Sequence, residues 1–438
     1  MSEAPVMADR VEIADILEGL HTGKAVEVRG WVYRSRSSGG IAFVLVRDSS
    51  GVVQVTFDKD ELGDRSFLEV EQAGIETSII AKGGVVEEGR APGGYEIKGN
   101  SMEVVGPSRN FPIGRDISDE FLLDVRHLWI RSQKMTSIFK VRSTVFGTIH
   151  DYFRSCGFYE VQPPIITPAG SEGGATLFEV DYFGKKLFLT QSWQLYAESM
   201  VMGLERIYTI APSFRAEKSR TTRHLTEYWH AEMEMAWEGM ETIIGHGEAL
   251  ISQVCQAVAE RNARELESLG RDVDYIGGIE PPFPRITYEE ALERLRSEGM
   301  ELEWGKDIRT LEEKALAKSF DKPIIVTHYP KESQAFYKMT DPEDPDLVLA
   351  FDFIAPEIGG ELIGGSEREA DLETLKANLL RQGEDLEAYD WYLDTRRYGS
   401  VQHSGFGMGV DRLVQWICLL DHVRDTIPFP RTLTRHKP

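Results

Sequence analysis

The residues with the clearest potential for chemistry lie in the stretch FRAEKSRTTRHLTEYWHAEMEM. Alternate residues of a strand share a face, so a strand here would present Arg215 and Glu217 on the same side. A polar segment then leads to Arg223 and His224. Guanidinium groups bind pairs of phosphate oxygens, so the stretch suits a polyphosphate, and Tyr228 could stack on a purine ring. If an Arg-Glu pair were the only feature here, a charged, solvent-exposed hairpin would be the simpler interpretation.

A second candidate lies near the C-terminus, where HSGFGMGVDRLVQWI places Gly405, Gly407 and Gly409 just before a predicted helix. Glycines at the start of a helix let the backbone approach a ligand closely, and a helix N-terminus favours anions. Arg412 would lie about one turn into this helix, where it could contact a phosphate or cover an adenine ring. A G-x-G-x-G pattern alone usually indicates only a turn.

The elements that position these residues are predicted by the hydrophobic pattern. Five short runs between residues 25 and 105 alternate or are β-branched and are separated by Gly- and Ser-rich turns: AVEVRGWV, IAFVLVRD, VVQVTF, SIIAKGGVVEE and YEIKGNSMEVV. Five such strands favour a small closed barrel of the OB type. Beyond the linker-like GPSRNFPIGRD, the segment MTSIFKVRSTVFGTIHDYFRSCGF predicts a helix that ends at Gly157. The remainder mixes strands and helices in an α+β pattern.

Composition narrows the class of protein. The chain has 438 residues, which predicts more than one domain, and a formal net charge of −23, which argues against a nonspecific nucleic-acid coat. The three cysteines are far apart and predict neither a disulfide framework nor a zinc cluster. We expect no membrane span, because no run of about 18 apolar residues occurs, and a cytoplasmic location, because the start lacks a signal pattern.

Taken together, these motifs resemble those of class II aminoacyl-tRNA synthetases of the aspartyl/asparaginyl/lysyl subgroup. FRAE…TTRHLTEY resembles motif 2, GMGVDR resembles motif 3, and the helix ending at CGFYEVQPPIITP, with Pro164, resembles motif 1. The resemblance implies an OB-fold anticodon-binding domain at 1–107, a hinge at 108–130 and a catalytic domain at 131–438, built on an antiparallel sheet flanked by helices. It also implies a homodimer, because motif 1 forms the dimer interface in this class.

The resemblance further implies ATP and Mg²⁺ as ligands and assigns site residues. Arg215 would bind the α-phosphate and the substrate carboxylate, and Arg412 would bind the γ-phosphate, so both are candidate catalytic residues. Further candidates for ATP binding are Glu217, Arg223, His224, Leu225, Tyr228, Glu361 and Gly409, with Glu361 also the candidate magnesium ligand. Candidates for amino-acid binding are Glu172, Ser192, Gln194, Arg215, Glu232 and Arg368.

A few side chains favour asparagine over aspartate as the amino acid. In aspartyl members a lysine pairs with the substrate carboxylate, and Ala197 stands at that position here. Glu232 could accept the side-chain NH₂ of asparagine while Arg368 donates to its carbonyl oxygen, and the same carboxylate would repel aspartate. Three departures from the family pattern, at Trp193, Ala175 and Glu367, bear on the shape and charge of this pocket.

The implied reaction is ATP-dependent activation of asparagine and its transfer to the 3′ end of its tRNA through an aminoacyl-adenylate. The implied partner is a tRNA, bound at its acceptor end and at its anticodon loop, where Arg36, Phe43 and Gln54 of the barrel would read bases. Phe43 could equally be a core residue on alternation alone. Aspartyl-tRNA ligation and a paralogue that makes a small amide or only binds nucleic acid are the alternatives.

Overall fold

The computed structural model describes residues 9–114, 117–171, 177–218 and 221–438. The chain forms two compact units, Met1–Leu123 and Asp124–Pro438, each with its own hydrophobic core. None of the helices in the described ranges is both long and apolar enough to cross a bilayer. The predicted domain boundaries at 107 and 130 remain a prediction.

The first unit is a closed β-barrel. Its strands are β1 (Asp9–Arg10), β2 (Ala25–Ser38), β3 (Ile41–Arg47), β4 (Val52–Asp58), β5 (Ser78–Glu87) and β6 (Tyr95–Gly106). The sheet order is β1-β2-β3-β4-β6-β5, and pairing of β2 with β5 closes the barrel. Short helices accompany it: α1 (Ile13–Leu17), α2 (Lys59–Leu62) and α3 (Asp64–Gln72). The predicted OB-fold is confirmed.

Alternation explains the barrel, because the apolar residues at alternate positions of its strands share the face that packs into the core. On β3, Ala42, Val44 and Val46 are buried in the core, and β4 contributes Val53 and Val55. The residues between them therefore point outward.

The second unit is built on a sheet of eight strands with the order β13-β14-β15-β16-β17-β12-β11-β7. All neighbours are antiparallel except the two outermost pairs, β13/β14 and β11/β7. The strands are β7 (Tyr159–Glu160), β11 (Arg206–Phe214), β12 (Glu227–Ala236), β13 (Arg285–Thr287), β14 (Ile324–Pro330), β15 (Leu347–Ile354), β16 (Glu361–Glu367) and β17 (His403–Gly409). A small separate sheet contains β8 (Ile166–Thr167), β9 (Glu179–Tyr182) and β10 (Lys185–Leu189).

Helices flank this sheet, which confirms the predicted α+β class. They are α5 (Arg126–Trp129), α6 (Gln133–Ser155), α7 (Gln194–Leu204), α8 (Met240–Arg261), α9 (Ala263–Ser268), α10 (Val273–Gly277), α11 (Tyr288–Ser297), α12 (Thr310–Ala317), α13 (Leu372–Arg381), α14 (Asp390–Arg397) and α15 (Val410–Ile417). The short helix α4 (Asp119–Asp124) belongs, except for its last residue, to the first unit.

The predicted long helix is α6. The Ser132 side chain caps it by accepting a hydrogen bond from the backbone N–H of Met135 at 3.3 Å. Gly157 follows its end with a φ of +78°, a conformation that glycine adopts without strain. The apolar side of α6 packs, together with α8 and α15, on the middle strands of the sheet.

Candidate active site

The hairpin of β11 and β12 positions the first group of predicted site residues. The ladder between the two strands runs to Phe214 opposite Glu227, after which the backbone N–H of Arg215 still donates to Thr226 at 3.1 Å. Arg215 and Glu217 therefore lie just beyond the strand, in the connecting loop, rather than on a strand face as the alternation predicted. Tyr228 lies on β12, with the Arg215 guanidinium 5.7 Å from its ring centre.

One cavity of about 960 Å³ is lined by the three predicted phosphate-binding arginines, Arg215, Arg223 and Arg412. Its wall also contains most of the other predicted site residues: Ser192, Gln194, Glu217, His224, Glu232, Glu361 and Arg368. A smaller adjoining pocket of about 60 Å³ shares Arg215, Arg223 and Arg412 and adds the remaining predicted ATP-binding residues, Leu225, Tyr228 and Gly409. Glu172 and Ala175 lie outside the described residues. Positions far apart in the chain thus meet at one site.

Arg412 reaches the cavity because α15 is anchored behind it. The neighbouring Asp411 is buried and accepts hydrogen bonds from Arg142 of α6 at 2.5 Å and from the backbone N–H of Trp229 at 2.8 Å. Arg412 itself donates from Nη1 to the carbonyl oxygen of Glu361 at 3.0 Å and lies 3.5 Å from the Glu361 carboxylate. Asp411 and Arg142 were not predicted, since 269 residues separate them.

Arg223 is held by a carboxylate that the sequence did not indicate. Its guanidinium makes an ion pair with Glu313 on α12, a helix 90 residues further along the chain. Burial raises the pKa of Glu313, and Arg223 opposes this shift. Nearby, His224 lies 3.7 Å from Glu217, and burial and the charge of Arg412 lower its pKa.

A pocket for a small polar group adjoins this basic region, around Glu232. The Glu232 carboxylate accepts hydrogen bonds from the Ser192 hydroxyl at 2.5 Å and from the backbone N–H of Trp193 at 3.2 Å, and it is almost fully buried. His230 Nδ1 lies 3.5 Å away. Burial and the charges of Arg215 and Arg412 lower the pKa of His230 to about 3, so its ring is neutral near pH 7.

Arg368 lines the same pocket but is paired with Glu234 and not with Glu232. Two parallel hydrogen bonds of 2.9 Å join its guanidinium to the Glu234 carboxylate, and Nη1 donates to the Ser366 hydroxyl at 2.7 Å. Glu234 was missed, although two glutamates at alternate positions of a buried strand share a face. The pair fixes the orientation of the guanidinium in the wall of the cavity that Glu232 also lines.

The structure gives the glycines of HSGFGMG a different role from the predicted one. Gly405 and Gly407 lie within β17, beneath side chains of β12. A Cβ atom at Gly405 would be 2.2 Å from Glu234 Oε2, and one at Gly407 would be 2.6 Å from His230 Nε2. These two glycines make room for the buried side chains of the pocket, and only Gly409 lies at the start of the helix.

Two carboxylates lie close together at the edge of the cavity. Glu361 and Asp352 stand on neighbouring strands and both face Gly364, where a Cβ atom would be 2.5 Å from Glu361 Oε1 and 3.3 Å from Asp352 Oδ1. Burial and the charge of Glu361 raise the pKa of Asp352 to about 7. Mg²⁺ is commonly held by one or two carboxylates together with substrate phosphates, so this pair fits the ion. Asp352 was missed, although one acid inside the apolar strand LVLAFDFI was a signal.

In the barrel, the predicted base readers share the outer face of β2, β3 and β4. Phe43 is not part of the core, and the Arg36 guanidinium lies 4.7 Å from its ring centre on the opposing strand. Gln54 donates from Nε2 to Glu96 at 2.8 Å, and Lys98 neutralises that carboxylate at 2.5 Å. The Phe43 ring is half-buried, and an aromatic ring beside a cation on the outer face provides a surface on which a base can stack.

Known proteins resemble the chain over its length. Residues 118–433 match the family described as tRNA synthetases class II (D, K and N), and residues 26–105 match the OB-fold nucleic acid binding domain. The asparagine–tRNA ligase of Thermoplasma acidophilum is 47% identical over 98% of this chain and 100% of its own length.

Solved structures agree with this match. The asparaginyl-tRNA synthetase of Pyrococcus horikoshii complexed with asparaginyl-adenylate superposes with a TM-score of 0.94, at 45% identity over 99% of this chain and 100% of its own. The Entamoeba histolytica asparaginyl-tRNA synthetase in complex with asparaginyl-adenylate gives a TM-score of 0.90, at 30% identity over 99% of this chain and 100% of its own.

Proposed function

The chain belongs to the class II tRNA synthetases of the D, K and N group, and we propose that it activates asparagine with ATP and transfers it to the 3′ end of tRNA. The observation that carries this function is the shared cavity, in which three arginines lie beside the pocket formed by Glu232 and Arg368. The arginines match the charge of a triphosphate, and the pocket with Glu232 and Arg368 matches a small neutral amide.

In the first step, the carboxylate of asparagine attacks the α-phosphorus of ATP, and pyrophosphate leaves. Arg215 stabilises the negative charge that develops on the α-phosphate, while Arg223, His224 and Arg412 bind the outer phosphates. Tyr228 supplies an aromatic face for the adenine. No proton transfer is needed, so positioning and electrostatics carry the step.

Mg²⁺ bound to the triphosphate would be held by Glu361 and Asp352, and it supplies charge neutralisation for the leaving pyrophosphate. Both carboxylates face Gly364, and this geometry supports the assignment, because a divalent cation would offset the burial and the repulsion by Glu361 that raise the pKa of Asp352.

Selection of the amino acid rests on charge. Glu232 accepts a hydrogen bond from the side-chain NH₂ of asparagine, and Arg368, oriented by Glu234, donates to the carbonyl oxygen. Because Glu232 is almost fully buried, an aspartate side chain would bring a second negative charge into the same buried pocket. Glu172 would contact the substrate ammonium.

In the second step, a ribose hydroxyl at the 3′ end of the tRNA attacks the carbonyl carbon of the adenylate, and AMP leaves. The OB-fold barrel binds the anticodon loop, with Phe43 stacking on a base and Arg36 and Gln54 contacting base edges or phosphates. The match of the barrel to a nucleic acid binding domain supports this part of the proposal.

The proposal includes a homodimer in the cytoplasm. Three large side chains of the second unit are exposed and would be available to a partner subunit: Tyr159 is 59% exposed, Phe183 91% and Trp237 65%. The three cysteines are free thiols, which suits a reducing compartment. Sedimentation at a mass near twice 49.5 kDa would support the dimer, and sedimentation at 49.5 kDa would refute it.

The proposed substrate is tested by ATP–pyrophosphate exchange with asparagine and aspartate side by side. We expect asparagine to support exchange at least about 100-fold better in kcat/KM, because an unpaired buried charge is costly. Exchange with aspartate but not with asparagine would overturn the assignment of the amino acid.

A further inference from the structure

A buried carboxylate that no part of the proposed reaction uses lies directly behind the amino-acid pocket. Glu198 stands on α7, one helical turn after Gln194, and its side chain is fully buried. The Gln194 side chain donates from Nε2 to Glu198 Oε1 at 2.7 Å. Burying a charge is unfavourable unless it is paired, so this position needs an explanation.

The second oxygen of Glu198 is surrounded by donors from other elements. Oε2 accepts hydrogen bonds from the Tyr392 hydroxyl at 2.8 Å and from His403 Nε2 at 3.1 Å, and it is paired with the Arg396 guanidinium. Burial alone would raise the pKa of Glu198, but Arg396 and His403 hold it well below its usual value. The group is therefore an anion that can only accept hydrogen bonds.

This property fixes the orientation of the Gln194 amide. Only the NH₂ end can face an acceptor, so the carbonyl oxygen Oε1 is left for the cavity that Gln194 lines. Within residues 9–114, 117–171, 177–218 and 221–438, no group donates to this oxygen. The backbone of Gln194 is fixed as well, because its N–H donates to the Ser192 hydroxyl at 3.1 Å.

The same network reaches the opposite wall of the pocket. Arg396 donates from Nε to the carbonyl oxygen of Glu369 at 2.9 Å, and the backbone N–H of Arg368 donates to the carbonyl oxygen of His403 at 2.9 Å. Displacement of Glu198 would therefore disturb residues that also support Arg368.

We infer that Glu198 is a positioning residue which, by binding the NH₂ group of Gln194, makes Gln194 present an acceptor oxygen to a nitrogen of the amino-acid substrate. The inference rests on the proposed function for the identity of that substrate. Glu198 does not line the cavity, but it determines whether the oxygen or the NH₂ group of Gln194 faces the substrate.

The test is the variant Glu198→Gln. The introduced amide must keep its oxygen toward Arg396, so its NH₂ group faces Gln194, whose amide turns over and presents its own NH₂ to the cavity. The NH₂ group of Gln194 and the nitrogen of the substrate, both hydrogen-bond donors, then face each other. The KM for asparagine in ATP–pyrophosphate exchange is therefore expected to rise about 10-fold or more. The KM for ATP should stay within about 2-fold, because the triphosphate contacts are unchanged.

A matched control separates this effect from a loss of stability. Tyr392→Phe removes a hydrogen bond to the same carboxylate but leaves the bond between Gln194 and Glu198 in place. We expect it to lower the unfolding temperature while the KM for asparagine stays within about 2-fold.

A swap variant provides rescue. Gln194→Glu combined with Glu198→Gln reverses donor and acceptor within the pair, and the second carboxylate oxygen again offers an acceptor to the cavity. The KM for asparagine should return to within about 3-fold of wild type. The swap retains one carboxylate and one amide. If Glu198→Gln does not fold, the KM for asparagine of the double variant is therefore sufficient as the test.

The inference is overturned by an unchanged KM for asparagine in folded Glu198→Gln, by an equal rise in both KM values, or by failure of the swap to restore the KM. Absence of asparagine-dependent exchange in the wild-type enzyme would instead refute the proposed function, so the two failures are distinguishable.

Discussion

At the scale of single residues, the cavity arginines are balanced by carboxylates. Arg223 pairs with Glu313, and Arg412 lies against Glu361, so the basic region is held in place by acidic neighbours. Such pairing keeps long side chains in one orientation, which reduces the entropy lost when a triphosphate binds.

Arg412→Ala removes a cation that we assign to the γ-phosphate. We expect the rate of ATP–pyrophosphate exchange to fall at least about 100-fold, the size of effect seen when one group that stabilises charge is lost. The unfolding temperature should change little, because α15 is anchored through the buried Asp411 and not through Arg412. Arg285→Ala, at an exposed ion pair, is the control and should exchange normally. Near-normal exchange by Arg412→Ala would refute the phosphate role.

His230→Gln tests the environment of the pocket through pH. The pKa of His230 is lowered from 6.5 to about 3 by burial and by Arg215 and Arg412, even though Glu232 lies 3.5 Å away. Below pH 6.5 the unfolded chain gains a proton that the folded one does not take up until about pH 3, so stability falls across this window as pH falls. Between pH 7 and 5 the wild type should lose about 2 kcal/mol more than the variant.

Urea titrations at the two pH values provide the measurement. His436→Gln, at an exposed position, is the control and should follow the wild type. Equal loss of unfolding free energy in wild type and His230→Gln would show that the imidazole is not kept neutral.

The sequence predicted the charged residues that face the ligand, but it did not predict the residues that keep those side chains in position. Arg215, Arg223 and Arg412 were predicted because short motifs contain them. Their supports were not, because Glu313 and Arg142 lie 90 and 269 residues from their partners and only the fold brings them together.

At the scale of elements, alternation predicted five of the six barrel strands, β2 to β6, because one buried face is enough to define a strand, and it missed only the two-residue β1. Alternation did not show whether Phe43 faces the core or the outside of the barrel, since an aromatic ring is common on either face. The neighbouring core residues Ala42 and Val44 place the ring outside, beside Arg36. In β17, by contrast, the glycines were predicted to bring the backbone close to a ligand at the start of a helix, because their actual role depends on side chains of another strand that the local sequence does not show.

Phe43→Ala tests the assignment of the barrel face. We expect tRNA charging to weaken about 10-fold, because stacking of one base on an aromatic ring contributes about 1–3 kcal/mol, while tRNA-independent exchange is retained. Phe57→Ala is the contrasting variant, since its ring is fully buried, and it should lose about 3–5 kcal/mol of stability. Loss of exchange or of stability in Phe43→Ala would indicate a structural role instead.

At the scale of the whole molecule, the net charge of −23 means that tRNA must be bound through local features. The barrel offers Phe43 with Arg36, and the second unit offers the arginine-lined cavity. Composition alone argued against RNA, whereas the motifs favoured it. The family match supports the motifs, because a few well-placed cations can bind a specific RNA within an acidic protein.

The most direct test of the central claim is aminoacylation of tRNA with the two amino acids in competition. Total tRNA is incubated with the enzyme, ATP, Mg²⁺, asparagine and aspartate, and the amino acid released from the tRNA ester is identified by mass spectrometry. We expect asparagine on its own tRNA with little or no aspartate. Aspartyl ester as the main product, or no ester although exchange proceeds, would contradict it.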